Sequence, residues 1–260
     1  MRAAGFDPPA VARFLRASGL RARETRQARP ALARQALTWS AAGALAWVIP
    51  AIAGLGPFRE RLRPGLTGWA LTALMLDWHL GMFESEAGEP RPLGPADACT
   101  LARAWLVPLA AQRPGPLVCA IGFASDGLDG ALARASVPTR AGRDLEGLVD
   151  TAFALASLRG GVRCGGLGRL AATAEAGRLL AGVGVGVGAY FGSGERPDPS
   201  LSRAARASTP IRAAGVIAAG LGRRRTANAL VSLGTLAAVV AGIQASRLAP
   251  AAQPTSLLSR

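Results

Sequence analysis

The sequence contains no lysine, and its 260 residues include only one histidine, one tyrosine and three cysteines. The absence of lysine excludes Schiff-base chemistry and any lysine nucleophile. Cys99, Cys119 and Cys164 are odd in number and form no CxxC pair, so their spacing predicts neither a disulfide framework nor a zinc site. We interpret them as small apolar residues.

Charged residues are also scarce, at 18% of the chain, whereas an ordinary soluble domain has about a quarter. Half of the residues are hydrophobic and the mean hydropathy is +0.27, which indicates an integral, multi-pass membrane protein, expected in a bacterial plasma membrane. The net charge of +14 comes from arginines at the ends of apolar segments. This pattern predicts contacts with anionic membrane lipids and no nucleic-acid partner.

Apolar segments separated by Pro-rich and Gly-rich breaks predict an all-α, polytopic transmembrane helical bundle. AGVGVGVGAYFG at 181–192 also has the alternation of a strand, but we expect a helix because an isolated strand in lipid leaves backbone polar groups unpaired. The segments lie near 38–56, 66–83, 97–112, 115–134, 142–158, 168–192 and 226–247, with a short one at 211–221.

The chain divides into four regions on this pattern. Residues 1–37 form a basic arm with eight arginines and no cleavable signal, expected to be solvated or to lie on the cytoplasmic membrane surface. Residues 38–94 hold two extra apolar segments, 95–247 form a transmembrane core, and 248–260 are a C-terminal tail.

Carboxylates interrupt the apolar sequence at helical spacing. Asp126 and Asp129 are three residues apart and Glu146 and Asp150 are four apart, so each pair shares one helix face. Acids in apolar surroundings are costly unless cations compensate them. Oxygen ligands without nearby Cys or His favour Mg²⁺, Mn²⁺ or Ca²⁺ over zinc. Four carboxylates predict two divalent cations, an arrangement that suits displacement at phosphorus.

Two motifs carry these acids: DGLDGALAR at 126–134 and GRDLEGLVD at 142–150. Together they resemble the CDP-alcohol phosphatidyltransferase signature, which reads D-x-x-D-G-x-x-A-R, eight residues, then G-x-x-x-D-x-x-x-D. The interval in this chain has seven residues, and Glu146 stands where the family has its third Asp. The missing residue falls in a turn, and Glu keeps the carboxylate that a metal needs.

Two further stretches are similar to the same family. Asp97-Ala-Cys-Thr100-Leu-Ala-Arg103 resembles the Asn-x-x-Thr-x-x-Arg opening of its first core helix. GRRRT at 222–226 is similar to a Gly-Lys-x-Lys-Thr element of some members, although an arginine run alone is usually an anchor at a helix end. The resemblance covers about 95–247 and implies a core of six helices.

The resemblance also implies roles for individual residues. Asp126, Asp129, Glu146 and Asp150 would bind two divalent cations, Mg²⁺ or Mn²⁺, and Asp150 would also be the general base. Arg134 has an independent reason to bind phosphate, since its planar guanidinium can pair with two oxygens. The implied nucleotide contacts are Gly130, Ala133, Arg134, Asp97, Thr100 and Arg103.

The activity that the resemblance implies is transfer of a phosphatidyl group in phospholipid biosynthesis. CDP-diacylglycerol or another CDP-linked lipid would be the donor, an alcohol would be the acceptor, and CMP would be released at the cytoplasmic surface. Family members pair through membrane helices, so the resemblance is also compatible with a homodimer. The sequence does not specify which alcohol is the acceptor.

Three alternatives stay open on the sequence alone. The chain could be a catalytically impaired relative that serves as a membrane binding or scaffold protein, or a metal-dependent prenyltransferase that releases pyrophosphate. The acids could instead form buried ion pairs with Arg134, Arg140 and Arg143. Asp144 falls on another helix face, so we expect it to be solvated or to cap the helix.

Overall fold

The computed structural model describes residues 6–135, 139–189 and 207–248, with the backbone alone for 129–130, 133–135, 143 and 246–248. These ranges are α-helical and contain no β-strand, as the apolar pattern predicts. A 3₁₀ turn at Leu80–Met82 follows the third helix. The helices are α1 Pro8–Ala28, α2 Pro30–Ile52, α3 Gly56–Trp78, α4 Pro95–Gln112, α5 Pro116–Ala135, α6 Arg140–Arg163, α7 Arg169–Gly188, α8 Thr209–Gly220 and α9 Arg224–Leu248.

Helices α2 and α3 form a hairpin in which tryptophans lie over glycines. The ring of Trp47 contacts Gly65 on α3, and the ring of Trp69 contacts Gly43 on α2. Trp69 Nε1 also donates a 2.6 Å hydrogen bond to the carbonyl of Ser40. A side chain at either glycine would occupy the space of an indole ring, so these contacts fix the register of the hairpin.

Helix α4 lies at the centre of the bundle and packs against α3, α5 and α6. Arg103 on α4 contacts Asp150 on α6. Further along both helices, the carbonyl of Ala110 on α4 contacts Gly160 on α6. The two helices therefore run side by side in the same direction. Gly160 permits this close approach because it has no side chain between the backbones.

Helices α7, α8 and α9 pack on the other side of α5 and α6 around a second apolar core, which includes Leu158, Leu167 and Val231. The segment expected at 211–221 is α8, whose residues from Arg212 to Gly220 are largely buried. Its 12 residues correspond to about 18 Å, which is too short to cross a bilayer. Helix α8 therefore packs inside the bundle as part of this second apolar core.

Within the described ranges, three helices are long and apolar enough to cross a membrane, namely α2, α7 and the part Arg224–Ala245 of α9. Only 17% of the most apolar 18-residue stretch of α2 is buried, and Ile49 and Ile52 on its surface are 61% and 79% exposed. Apolar surface of this extent is typical of contact with lipid. Among the described residues, α5 contributes a shorter apolar stretch, Pro116–Leu128, which includes Asp126.

The N-terminal region is more ordered than the predicted arm. Helix α1 begins at Pro8 with Asp7 as its N-cap, and α2 already begins at Pro30 instead of residue 38 because Leu32 and Ala36 are buried. The α1 helix still carries exposed arginines on its outer surface, as expected for a surface-lying basic segment.

Glu84 links this N-terminal region to the first residue of α6. Its carboxylate pairs with Arg21 on α1 and with Arg140, each at 2.9 Å. The backbone N–H of Arg140 donates to the carbonyl of Glu84 at 3.0 Å. The region outside the family resemblance thus contacts the helix that carries Glu146 and Asp150.

A buried ion-pair network joins the last three helices. Glu175 on α7 is 4% exposed and accepts hydrogen bonds from both Arg178 Nε at 2.7 Å and Thr235 Oγ1 at 2.8 Å. Arg212 on α8 lies 3.2 Å from the same carboxylate and donates to Ser208 Oγ at 2.8 Å. One acid therefore compensates two guanidinium groups, which holds α7, α8 and α9 together.

We predict that Glu175→Gln destabilises the fold by about 3–5 kcal/mol, because it removes the acid shared by the buried Arg212 and the half-buried Arg178. Asp77→Asn is the matched control, since it removes the exposed Arg26–Asp77 pair of 2.7 Å and should cost less than about 1 kcal/mol. Thermal unfolding in detergent measures both. Equal shifts for the two variants would contradict a dominant role for the buried network.

Candidate functional site

Three of the four predicted carboxylates converge where α5 and α6 meet. Asp126 on α5 and Glu146 and Asp150 on α6 each place a carboxylate oxygen within 4.8 Å of the others. All three side chains are partly exposed, so the cluster is accessible from solvent. The predicted four-residue spacing of the α6 acids places both on the side that faces α5.

The other residues of the first motif lie on the helical backbone of α5. The backbone places Asp129 on the same helix face as Asp126, since the two are three residues apart. The side chains predicted to bind metal or nucleotide at 129, 130, 133 and 134 are outside the described part of the structure. These roles of Asp129, Gly130, Ala133 and Arg134 stay predictions.

Arg103 on α4 forms an ion pair with Asp150 at this site. Its side chain is 1% exposed, and Nη1 donates to Asp150 Oδ1. Nε donates to the carbonyl of Gly122 at 3.2 Å and to Ser125 Oγ at 3.3 Å. The resemblance implied a contact with nucleotide, whereas the structure places this guanidinium against the predicted general base.

Asp97 and Thr100 hold the beginning of α4. Asp97 Oδ2 accepts a 2.7 Å hydrogen bond from the backbone N–H of Gly94, which caps the helix. Thr100 is 5% exposed, and its hydroxyl donates to the carbonyl of Ala96 at 3.3 Å. These two predicted nucleotide contacts are thus engaged with the backbone of their own helix.

Gly142, which opens the second motif, is explained by packing. A Cβ atom on Gly142 would lie 2.9 Å from Asp97 Oδ1 and 2.8 Å from Thr139 Oγ1. Thr139 is the N-cap of α6 and accepts from the backbone N–H of Gly142 at 2.9 Å. Glycine at this position therefore lets the first turns of α4 and α6 approach closely.

The alternative network of ion pairs is not the one found among the described side chains. Arg140 pairs with Glu84 instead of the clustered acids, and the side chains of Arg134 and Arg143 are outside the described part. Asp144 is exposed, as expected for a residue on another helix face. The described counter-charge of the cluster comes from α4.

The donor set of the cluster fits a hard divalent cation. Oxygens on opposite sides of Mg²⁺ lie about 4.2 Å apart, because each bond is about 2.1 Å long. One oxygen of each carboxylate lies within 4.8 Å of the others, so small side-chain rotations would give the distances of a shared ion. They are hard oxygen donors, whereas zinc sites usually contain nitrogen or sulfur ligands.

An apolar groove lies between α3, α4 and α6, the last of which also carries two of the clustered acids. Leu145 and Val149 line it, each one residue before a clustered acid, and Thr100 lines its α4 side. Its surface is almost entirely hydrocarbon, which suits an acyl chain better than a polar ligand. The other lining residues are Gly68, Leu71, Thr72, Met75, Leu101, Ala104, Val107, Pro108, Leu148 and Ala152.

The GRRRT stretch is at the opposite end of the bundle. Gly220, just before it, contacts the carbonyl of Pro114, which lies beside Gly160 on α6. The ten residues from Asp150 to Gly160 correspond to about 15 Å of helix. The exposed arginines at 223–225 are therefore distant from the acids, in the position of a helix-end anchor.

Sequence reasoning missed the partners of Arg103. Gly122 and Ser125 precede Asp126 on α5, and nothing in their residue types distinguishes them from packing residues. The sequence does indicate that Arg103 needs partners, because it is a lone cation in the apolar run LARAWLVPLA. Such a residue requires an acid or several carbonyls nearby.

No protein-family model, curated protein or solved structure matches this chain.

We predict that Gly142→Ala lowers the unfolding temperature, since its methyl group would displace Asp97 or Thr139 at a cost of about 1–3 kcal/mol. Gly147→Ala on the same helix is the control, because a Cβ there meets nothing within 4 Å. Alanine should leave stability unchanged or raise it by up to about 1 kcal/mol at that position. A destabilised Gly147→Ala and an unaffected Gly142→Ala would refute this account of the join between α4 and α6.

Proposed function

We propose that this protein is a membrane phosphotransferase that moves a phosphatidyl group from CDP-diacylglycerol to an alcohol and releases CMP. The observation that carries the proposal is the convergence of Asp126, Glu146 and Asp150, the acids that stand at the signature positions. A chance match of letters gives no reason for acids on two helices to meet at one point. The resemblance supplies the substrate class, and the geometry supports it.

The apolar groove lined by α6 supports a lipid substrate. A donor of this kind needs hydrocarbon contacts for its acyl chains next to polar groups for its diphosphate. The groove along Leu145 and Val149 and the cluster at Glu146 and Asp150 supply both on one helix. The exposed apolar surface of α2 is consistent with this chemistry taking place in a membrane.

In the proposed reaction, the hydroxyl oxygen of the acceptor attacks the phosphorus that bears the lipid. A new phosphorus–oxygen bond forms to the acceptor, the bond from that phosphorus to the bridging oxygen breaks, and this oxygen leaves on CMP. Asp150 accepts the hydroxyl proton as general base. Its side chain is 35% exposed, so an acceptor can reach it, while Arg103 holds it from the buried side.

Asp126, Glu146 and Asp150, with Asp129 as the fourth expected ligand, would hold two divalent cations, which supply charge neutralisation for the diphosphate when bound. The side chains of the protein itself orient the reacting groups. Arg103 and the α4–α6 contacts fix the orientation of the acids.

The test is CMP release from CDP-diacylglycerol by the purified protein, with Mg²⁺ or Mn²⁺ and a panel of alcohols that includes glycerol phosphate, inositol phosphate and serine. We expect Asp150→Asn to lower the rate by about 10²–10⁴-fold, because it removes the proton acceptor. Asp144→Asn is the matched control, since it makes the same change at an exposed position of the same helix.

Each outcome of this assay decides between the proposals. An Asp150→Asn protein as fast as Asp144→Asn would refute the role of the base. Pyrophosphate release from a prenyl donor would favour a prenyltransferase. Binding of the CDP-lipid without turnover would favour a catalytically impaired relative.

We further predict that CMP release stops in EDTA and returns when Mn²⁺ is added. Asp126→Asn should raise the Mn²⁺ concentration needed for half-maximal rate by about 10-fold or more, because a neutral amide oxygen is a weaker ligand for a hard cation. Electron paramagnetic resonance of free Mn²⁺ measures the affinity of the protein for Mn²⁺ without turnover. Unchanged Mn²⁺ binding in Asp126→Asn would contradict a ligand role for this residue.

A further inference from the structure

We infer that Arg103 is a positioning residue: it holds the Asp150 carboxylate in its working orientation and is not a nucleotide contact. The inference rests on the proposed function, because the working orientation is the one that receives the acceptor's proton. It departs from the role that the resemblance implies for this position.

Burial is the first argument for this role. The Arg103 side chain is 1% exposed, so a nucleotide phosphate from solvent cannot reach the guanidinium without opening the α4–α5–α6 contact. An arginine at this depth requires a nearby negative charge, since burying it without one is strongly unfavourable. Asp150 supplies that charge through its Oδ1 atom.

The second argument is that α5 fixes the direction of the guanidinium. Nε donates to the carbonyl of Gly122 at 3.2 Å and to Ser125 Oγ at 3.3 Å. Ser125 Oγ in turn donates to the Gly122 carbonyl at 2.8 Å, so the two acceptors are tied to each other. A planar group held at Nε presents its Nη atoms in a fixed direction, and Asp150 lies in that direction.

The third argument concerns Asp150 itself. Its side chain is 35% exposed, whereas its ion-pair partner is buried. One side of the carboxylate therefore faces Arg103, and its oxygens remain near those of Asp126 and Glu146. A base that an arginine holds on its buried side, and that is exposed on its other side, has the arrangement that proton transfer needs.

The test compares Arg103→Lys, Arg103→Gln and the control Arg159→Gln, an exposed arginine further along α6. Lysine keeps the positive charge but has no Nε–H fork with which to contact α5 and Asp150 together. We expect Arg103→Lys to unfold near the wild-type temperature while its kcat falls about 100-fold, as misplaced catalytic groups do. Its KM for the CDP-lipid should change by less than about threefold.

A double-mutant cycle of thermal unfolding checks the pair without any assay of activity. Arg103→Gln and Asp150→Asn should each lower the unfolding temperature by about 10 °C, because each leaves a buried or half-buried charge without its partner. The double variant should be no less stable than the worse single variant. Additive losses would show that the two residues are not coupled and would overturn the inference.

The activity results separate this inference from the proposed function. A raised KM for the CDP-lipid with unchanged kcat in Arg103→Lys would assign the residue to nucleotide binding and overturn the inference alone. A wild-type kcat in Arg103→Lys would do the same. A wild-type protein that releases no CMP from any donor would refute the proposed function, and with it the role of Arg103 in catalysis.

Discussion

The ion pair between Arg103 and Asp150 is the interaction on which the rest of the site depends. A guanidinium that is almost fully buried has to be compensated by an acid, and the acid that compensates it stands next to the other two carboxylates. The pair thereby joins α4 to α6, and its bonds to Gly122 and Ser125 join both to α5. The same electrostatic requirement that stabilises the centre of the bundle determines the position of the acids.

Packing around this centre supports the same arrangement. Gly142 and Gly160 let α4 and α6 run in close contact above and below the ion pair, and Glu84 connects the first residue of α6 to α1. The apolar groove lies against the same stretch of α6. The groove and two of the acids thus share one helix, α6, which is the physical basis for proposing a membrane-bound substrate with a polar, phosphorylated head.

The sequence predicts the helical class well, because apolar runs broken by Pro and Gly have few other solutions in a membrane. It also identifies the acids, since Asp126, Glu146 and Asp150 are costly in such surroundings without compensation. It could not identify which cation compensates Asp150, because Arg103 lies 47 residues away and the pairing depends on how α4 packs. The helical start of the N-terminal arm and the burial of α8 were missed for a related reason. Both follow from tertiary contacts, such as those of Leu32 and Ala219, and not from local hydropathy.

The most direct test of the central claim is anomalous diffraction from crystals of the protein grown with Mn²⁺. The account predicts a manganese peak between α5 and α6, about 2.0–2.6 Å from oxygens of Asp126, Glu146 and Asp150, with Arg103 still on the buried side of Asp150. Manganese bound elsewhere in the protein, with these three carboxylates turned away from one another, would contradict it.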